Sequence, residues 1–194
     1  MNKKYLRNNS GLARMIFLAA AIALAFVIFF VIKTGKGKQF LQSLRPKLPP
    51  VEVKTEDRNG DEKPDVFFYY RENILFKVNR DRNFDGKLDE WIVINNGKWA
   101  SRKADDNFDR VVDVRENFSD QGVLQQRERD IDFDATFDET EYHDTEGSLE
   151  RSEHDSNGDG KPDVWKTFKK GVLQKTEIDR TFDGKPDETL IPSN

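Results

Sequence analysis

One nine-residue pattern returns six times along the chain and constrains the fold more than any other feature. It reads Asp-x-(Asn/Asp/Thr)-x-Asp-(often Gly)-x-x-Asp, and its copies begin at Asp57, Asp81, Asp105, Asp130, Asp155 and Asp179. The spacings are 24, 24, 25, 25 and 24 residues. A period in this range marks a repeat architecture, in which each unit is one supersecondary element and neighbours must stack to bury an apolar face.

Every interval follows the same plan. After the last Asp comes a short run rich in aromatic and β-branched residues, such as Val66-Phe67-Phe68-Tyr69-Tyr70, Trp91-Ile92-Val93-Ile94 and Val164-Trp165-Lys166-Thr167-Phe168. Runs of this kind favour strand. A tight turn follows, marked by Asn73, Asn96-Gly97, Gly122, Gly147 and Gly171, and Asn-Gly between apolar runs is a strong hairpin signal. Two residues later stands a large apolar side chain: Leu75, Trp99, Leu124, Leu149 and Leu173. A more polar strand then leads to the next Asp loop. The two 25-residue spacings coincide with an extra residue in the turn, at 119–122 and 144–147.

The expected fold is all-β: tandem β-hairpin repeats in six copies, the sixth ending after one strand at 188–191, forming an extended twisted array. One hairpin is not stable alone in water, so adjacent hairpins must share a sheet. A closed barrel or a small propeller-like arrangement are the alternative closures. Repeats three and four, with Arg115-Glu116-Asn117 and Glu139-Thr140-Glu141, give the weakest strand signals.

The loops carry the chemistry. Their candidate ligands are Asp57, Asn59, Asp61 and Asp65; Asp81, Asn83, Asp85 and Asp89; Asp105, Asn107, Asp109 and Asp113; Asp130, Asp132, Asp134 and Asp138; Asp155, Asn157, Asp159 and Asp163; and Asp179, Thr181, Asp183 and Asp187. Of the 22 Asp in the chain, 19 occupy positions 1, 3, 5 or 9 of a loop, an ordering that random surface acidity does not produce. Several carboxylates in one short loop repel each other unless a cation sits among them. Calcium suits such a set, because it takes 6–8 oxygen ligands from carboxylates, amides and backbone carbonyls. Gly86, Gly160 and Gly184 supply flexibility at position 6, where a wrapping loop turns sharply. The carbonyl of position 7 is the expected further ligand.

At these residues the sequence resembles the calcium-binding loops of EF-hands, thrombospondin type-3 repeats and integrin-type propellers. The closest copies are Asp81-Arg-Asn-Phe-Asp-Gly-Lys-Leu-Asp89 and Asp155-Ser-Asn-Gly-Asp-Gly-Lys-Pro-Asp163. The resemblance covers the loops alone. The bidentate Glu that closes an EF-hand is replaced by Phe68, Ile92, Lys166 or Leu190 in four copies, and flanking helices are absent from the pattern. The integrin-type loop, which uses positions 1, 3, 5, 7 and 9, is the better match. Without the bidentate Glu in most loops, the expected Ca²⁺ sites are weak, on the order of 10⁻⁴–10⁻³ M. Loops two, five and six are the best expected sites and loop three, with Arg110 at position 6, the poorest. The competing reading is metal-free Asx turns neutralised by nearby Arg and Lys.

The charge splits sharply. Residues 1–50 hold nine Lys/Arg and no acid, whereas residues 51–194 hold 23 basic and 36 acidic residues, a net of −13. An acidic domain of this kind is a poor partner for nucleic acid. The absence of Cys removes disulfides and thiolate metal sites, and two His, His143 and His154, leave little for zinc or a His-based triad. Residues 15–32 are an unbroken apolar run of 18, long enough for a transmembrane helix. The chain thus divides into a basic tail (1–11), a signal anchor (12–32), a basic Gly/Pro stalk (33–50) and the acidic repeat domain (51–194). A cleavable signal peptide, giving a secreted domain, is the rival, although its core is usually shorter. Basic residues flank the run on both sides, so they do not set orientation. The weak calcium sites do favour an extracytoplasmic domain.

These features suggest a membrane-anchored, calcium-binding repeat protein with a structural or adhesive role and no enzymatic activity. An envelope protein or glycan is the expected kind of partner. The alternative is a divalent-ion-sensing accessory subunit of a membrane complex. Phe67, Trp91 and Trp165 share one repeat position and are expected to stack in the core rather than form a carbohydrate platform. The position-4 residues Phe84, Phe108, Phe133 and Phe182 are expected to pack beneath the loops, and His143 to pack rather than catalyse.

Overall fold

The computed structural model describes residues 48–192. The tail, the apolar run and nearly all of the stalk lie outside them. Among the described residues no helix is long and apolar enough to cross a membrane.

The described chain is one sheet of twelve antiparallel strands in sequence order. They are β1 (Val51–Glu56), β2 (Val66–Arg71), β3 (Ile74–Arg80), β4 (Glu90–Asn95), β5 (Lys98–Ala104), β6 (Val114–Phe118), β7 (Leu124–Arg129), β8 (Glu139–His143), β9 (Leu149–His154), β10 (Val164–Lys169), β11 (Val172–Ile178) and β12 (Glu188–Leu190). Only consecutive strands touch, so the sheet is open rather than a closed barrel or propeller. The charged segments of repeats three and four form regular strands like the rest.

Each hairpin carries a register shift at the same repeat position: Tyr69/Tyr70, Val93/Ile94, Asn117/Phe118, Tyr142/His143 and Thr167/Phe168. The unpaired residues are Phe76, Ala100, Gln125, Glu150 and Gln174, each just after the large apolar residue that follows the turn. A bulge adds right-handed twist, and repetition applies the same increment five times. It also turns Leu75 onto the face of Val66, Val78 and Ile92, where it packs with Phe68 and Ile94.

That cluster occupies only the first strands. Farther along, the same face is held by charges. Arg80 pairs with Glu90 at 3.0 Å, and Arg102 lies between Glu90 (2.7 Å) and Glu116 (3.3 Å). Arg127 then lies between Glu116 (2.8 Å) and Glu141 (3.4 Å). Arg129 pairs with Glu139 and with Glu141, the latter at 3.1 Å, and His143 Nε2 lies 3.5 Å from Glu141. Cross-strand opposite charges stabilise a sheet pair by pair. This continuous line replaces aliphatic side chains in a domain that has few. His143 packs in this face, its Nδ1 3.2 Å from the Gly147 carbonyl oxygen.

The aromatic expectations need correction. Side chains alternate between faces of a strand, so burial of Val66, Phe68 and Ile92 sends Phe67 and Trp91 to the opposite face. Trp165 lies in the same cross-strand row, and all three are half-buried rather than stacked in the core.

Candidate metal centres

All six Asp loops lie at one end of the sheet and the tight turns at the other, as the meander requires. The loops are joined by a line of main-chain hydrogen bonds. The amides of Asp81, Asp105, Asp130, Asp155 and Asp179 donate to the carbonyl oxygens of Asp65, Asp89, Asp113, Asp138 and Asp163 at 2.8–2.9 Å. Each position-9 amide in turn donates to the residue just before its own loop, as Asp113 does to Ala104 at 2.9 Å.

Within a loop the carboxylates fold the backbone around themselves. Position 1 accepts amides from positions 4 to 6; in loop three Asp105 takes Asp109 at 3.2 Å and Arg110 at 2.8 Å. Position 3 accepts the amide of position 5, as Asn107 does from Asp109 at 2.9 Å. Position 5 accepts that of position 7, as Asp109 does from Val111 at 2.7 Å. Position 9 closes the ring, with Asp113 Oδ2 accepting Asp106 at 2.6 Å and Asn107 at 3.1 Å. This scheme ties one carboxylate oxygen of positions 5 and 9 to the backbone and leaves the other for a further partner.

The winding puts positions 4 and 6 in the left-handed region in every copy. Position 6 has φ of 67° at Glu62, 83° at Arg110 and 77° at Ala135, alongside 82–87° at the three glycines. Replacing Gly there does not undo the turn. It adds strain of roughly 1–2 kcal/mol per residue instead. Position 4 behaves alike, with φ between 57° and 65° at Phe84, Phe108, Phe133 and Phe182. This geometry swings their rings outward, to 42–49% exposure, so they do not pack beneath the loops.

Three carboxylates converge in two loops, each set offering oxygens within 4.8 Å of one another: Asp105, Asp109 and Asp113, and Asp130, Asp132 and Asp138. These are loops three and four, not the expected two, five and six. Position 2 accounts for the difference from loops two and five. In loop two it is Arg82, whose Nε donates to Asp89 Oδ1 at 2.8 Å. In loop five it is Ser156, whose Oγ donates to Asp163 Oδ1 at 2.8 Å. In loops three and four it is Asp106 and Ile131, whose side chains have no donor to offer. Asp113 is 1% exposed, and its buried Oδ1 has no hydrogen-bond partner among the described residues. A buried carboxylate oxygen beside two other carboxylates, with nothing to satisfy it, fits a cation. In loop six the Thr181 hydroxyl caps Asp187 Oδ2 at 3.1 Å, and in loop one Asp57, Asp61 and Asp65 keep the common scheme through the amides of Gly60, Lys63 and Arg58.

Arg82 has a second role that its sequence position did not suggest. Its Nη2 donates to the Asp105 carbonyl oxygen at 2.6 Å and to Asp106 at 2.9 Å, strapping loop two to loop three. Burial works against its charge, but the bonds to Asp89 and Asp106 outweigh it and its pKa is raised. Asp85 is lowered: desolvation opposes this, and the Lys87 ammonium and amide prevail. Asp134 is lowered by the Thr136 hydroxyl and amide. Asp179 is lowered because the amides of Gly184, Asp183 and Phe182, with the Thr181 hydroxyl, outweigh its desolvation.

The six loops hold 21 acidic and eight basic residues, a net of −13, which leaves 15 of each sign in the rest of residues 51–194. The whole charge imbalance of the domain therefore sits at one end of the sheet.

No protein-family model matches the chain. No curated protein matches it either. Among solved structures, one that matches is described as the crystal structure of accessory secretory protein 1,2 and 3 in Streptococcus pneumoniae, with 14% identity and a TM-score of 0.31. The match covers 67% of this chain and 22% of that one, so the chain spans about a fifth of its length. Likeness at that level carries no functional argument.

Proposed function

We propose that this is a membrane-anchored, extracytoplasmic repeat protein whose Asp loops bind calcium and whose role is structural or adhesive. The observation that carries the reading is Asp113, a buried carboxylate with one oxygen unpartnered, beside Asp105 and Asp109. A Ca²⁺ there would be held by these three carboxylates and the Asn107 side chain. It would bind the folded chain and not the unfolded one, and so add stability by mass action. Loop four, with Asp130, Asp132 and Asp138, is the second site. Loops two and five, where Arg82 and Ser156 already occupy Oδ1 of the position-9 Asp, bind more weakly. The sheet has little apolar core to hold it, so cations along the loop edge would stiffen it where like charges are most concentrated.

A calcium titration of the full chain in detergent, followed by Trp fluorescence and thermal melting with magnesium as control, tests this. The expected result is a rise in melting temperature across millimolar calcium. No response at millimolar calcium would sink the reading. Protease added to intact cells should digest residues 51–194; digestion only after permeabilisation would place the domain on the cytoplasmic side.

A further inference from the structure

We propose that the sheet face opposite the buried cluster binds an acidic saccharide, at a site centred on Trp91 and flanked by Lys77 and Lys103. An open cavity of about 390 Å³ lies there, lined by Lys77, Trp91, Val93, Ser101, Lys103 and Val112, within the size range of small-ligand sites. Cross-strand register builds it. Lys77, Val93 and Ser101 form one row across β3, β4 and β5, and Asn79, Trp91 and Lys103 the row beside it.

Three observations choose the ligand chemistry. The first is charge. Across β2 to β5 these two rows contain no acidic residue, although residues 51–194 contain 36. Among the described residues neither Lys77 nor Lys103 has a carboxylate within ion-pair distance; Lys77 Nζ rests 5.0 Å above the Tyr69 ring. Two ammonium groups without a carboxylate partner, in a domain of net −13, are free to meet an anion from outside. The second is the surface between them. Trp91 is half-buried and Val93 is 43% exposed, a flat apolar floor with the Ser101 hydroxyl at its side. A sugar ring presents an apolar C–H face to stack on such a floor and hydroxyls at its rim. The third is repetition. Phe67, Trp91 and Trp165 stand in one cross-strand row, with Tyr69 and Tyr142 in the next. Phe67 and Trp91 are two strands apart, roughly 9.6 Å, a spacing close to the length of a disaccharide. An uronate-bearing chain laid across the strands would meet an aromatic ring at Phe67 and again at Trp91, with its carboxylates beside Lys77 and Lys103.

The full chain in detergent is titrated with a galacturonate hexamer, followed by Trp fluorescence, in excess chelator so that cations at the loops play no part. Saturable binding is expected, at least tenfold tighter than a neutral glucose hexamer. W91A should weaken it by tenfold or more, and W91Y should retain it, which separates stacking from a folding defect. K77Q/K103Q should lose the preference for the charged hexamer while keeping whatever affinity the neutral one shows. The proposal is overturned if the parent chain does not bind. It is overturned equally if W91A, folded by circular dichroism, binds as tightly as the parent, or if inorganic phosphate or polyglutamate competes as well as the uronate.

Discussion

Arg102 Nε lies 2.7 Å from Glu90 Oε1, and the two side chains are 17% and 5% exposed. In a single-layer sheet this pair stands where a core residue would, and Arg102 also reaches Glu116 at 3.3 Å. Truncating it strands two buried carboxylates with one arginine partner each, Arg80 and Arg127. R102M should therefore lower stability by about 3 kcal/mol, read as a shift of the urea midpoint with an unchanged slope. A loss under 1 kcal/mol would show that the line of charges is ornamental.

Asp113 and Asp89 occupy the same loop position but should respond oppositely to neutralisation. D113N keeps an amide oxygen for the Asp106 and Asn107 amides and removes an unpartnered buried charge. In chelator it should match or exceed the parent in stability, while losing part of the calcium-dependent rise in melting temperature. D89N deprives Arg82 of one of its two carboxylate partners and should cost about 1.5–3 kcal/mol in chelator. Melting curves of both variants with and without calcium decide the matter.

Ala135 sits at position 6 with φ of 77°, and its amide serves Asp130 at 2.9 Å. Glycine relieves the strain and keeps the amide. A135G should stabilise the chain by about 1 kcal/mol, the reverse of what Ala→Gly does in an ordinary strand. Denaturant unfolding measures it.

Asp85, Asp134 and Asp179 have pKa values below the ordinary aspartate range. A carboxyl depressed in the folded state is the weaker proton acceptor there, so acid favours unfolding. Their contribution is complete above the unfolded aspartate value of about 3.9 and is lost as pH falls through the folded values. In chelator the melting temperature should be flat from neutral pH to about that value and fall below it. Calcium stabilisation should fade over the same acid range, since protons compete for the same oxygens. A melting temperature that holds steady to pH 2 would contradict this.

The hairpin period, the turn positions and the Asp loops were legible because each rests on local chemistry. Asn96-Gly97 and Gly171 force turns, and Asp at positions 1, 5 and 9 folds a loop on itself. The ionic line through Glu90, Arg102, Glu116 and Arg127 was not legible, because these residues read as solvated surface until the register sets them side by side. The five bulges were hidden as well, since one skipped residue after each turn leaves no mark in composition. Strand alternation put Phe68 rather than Phe67 against the buried cluster, and the skip turned Leu75 to the same face. The convergence of three carboxylates in loops three and four, rather than in the loops with glycine at position 6, was not legible either. In loops two and five the position-2 side chain fills the second oxygen of position 9, which loop spacing alone does not show.

Since each strand touches only the next, β1 and β12 are tied to one another by nothing but the ten strands between. Cohesion in such a lattice accumulates link by link. Loss of the last hairpin should leave the rest folded, and the ends should exchange amide protons first and the middle last. The central links include the Arg82 strap and the Asp113 pocket. The chain is thus built like a zip fastener whose slider, if the loops take calcium, sits near its midpoint rather than at either end.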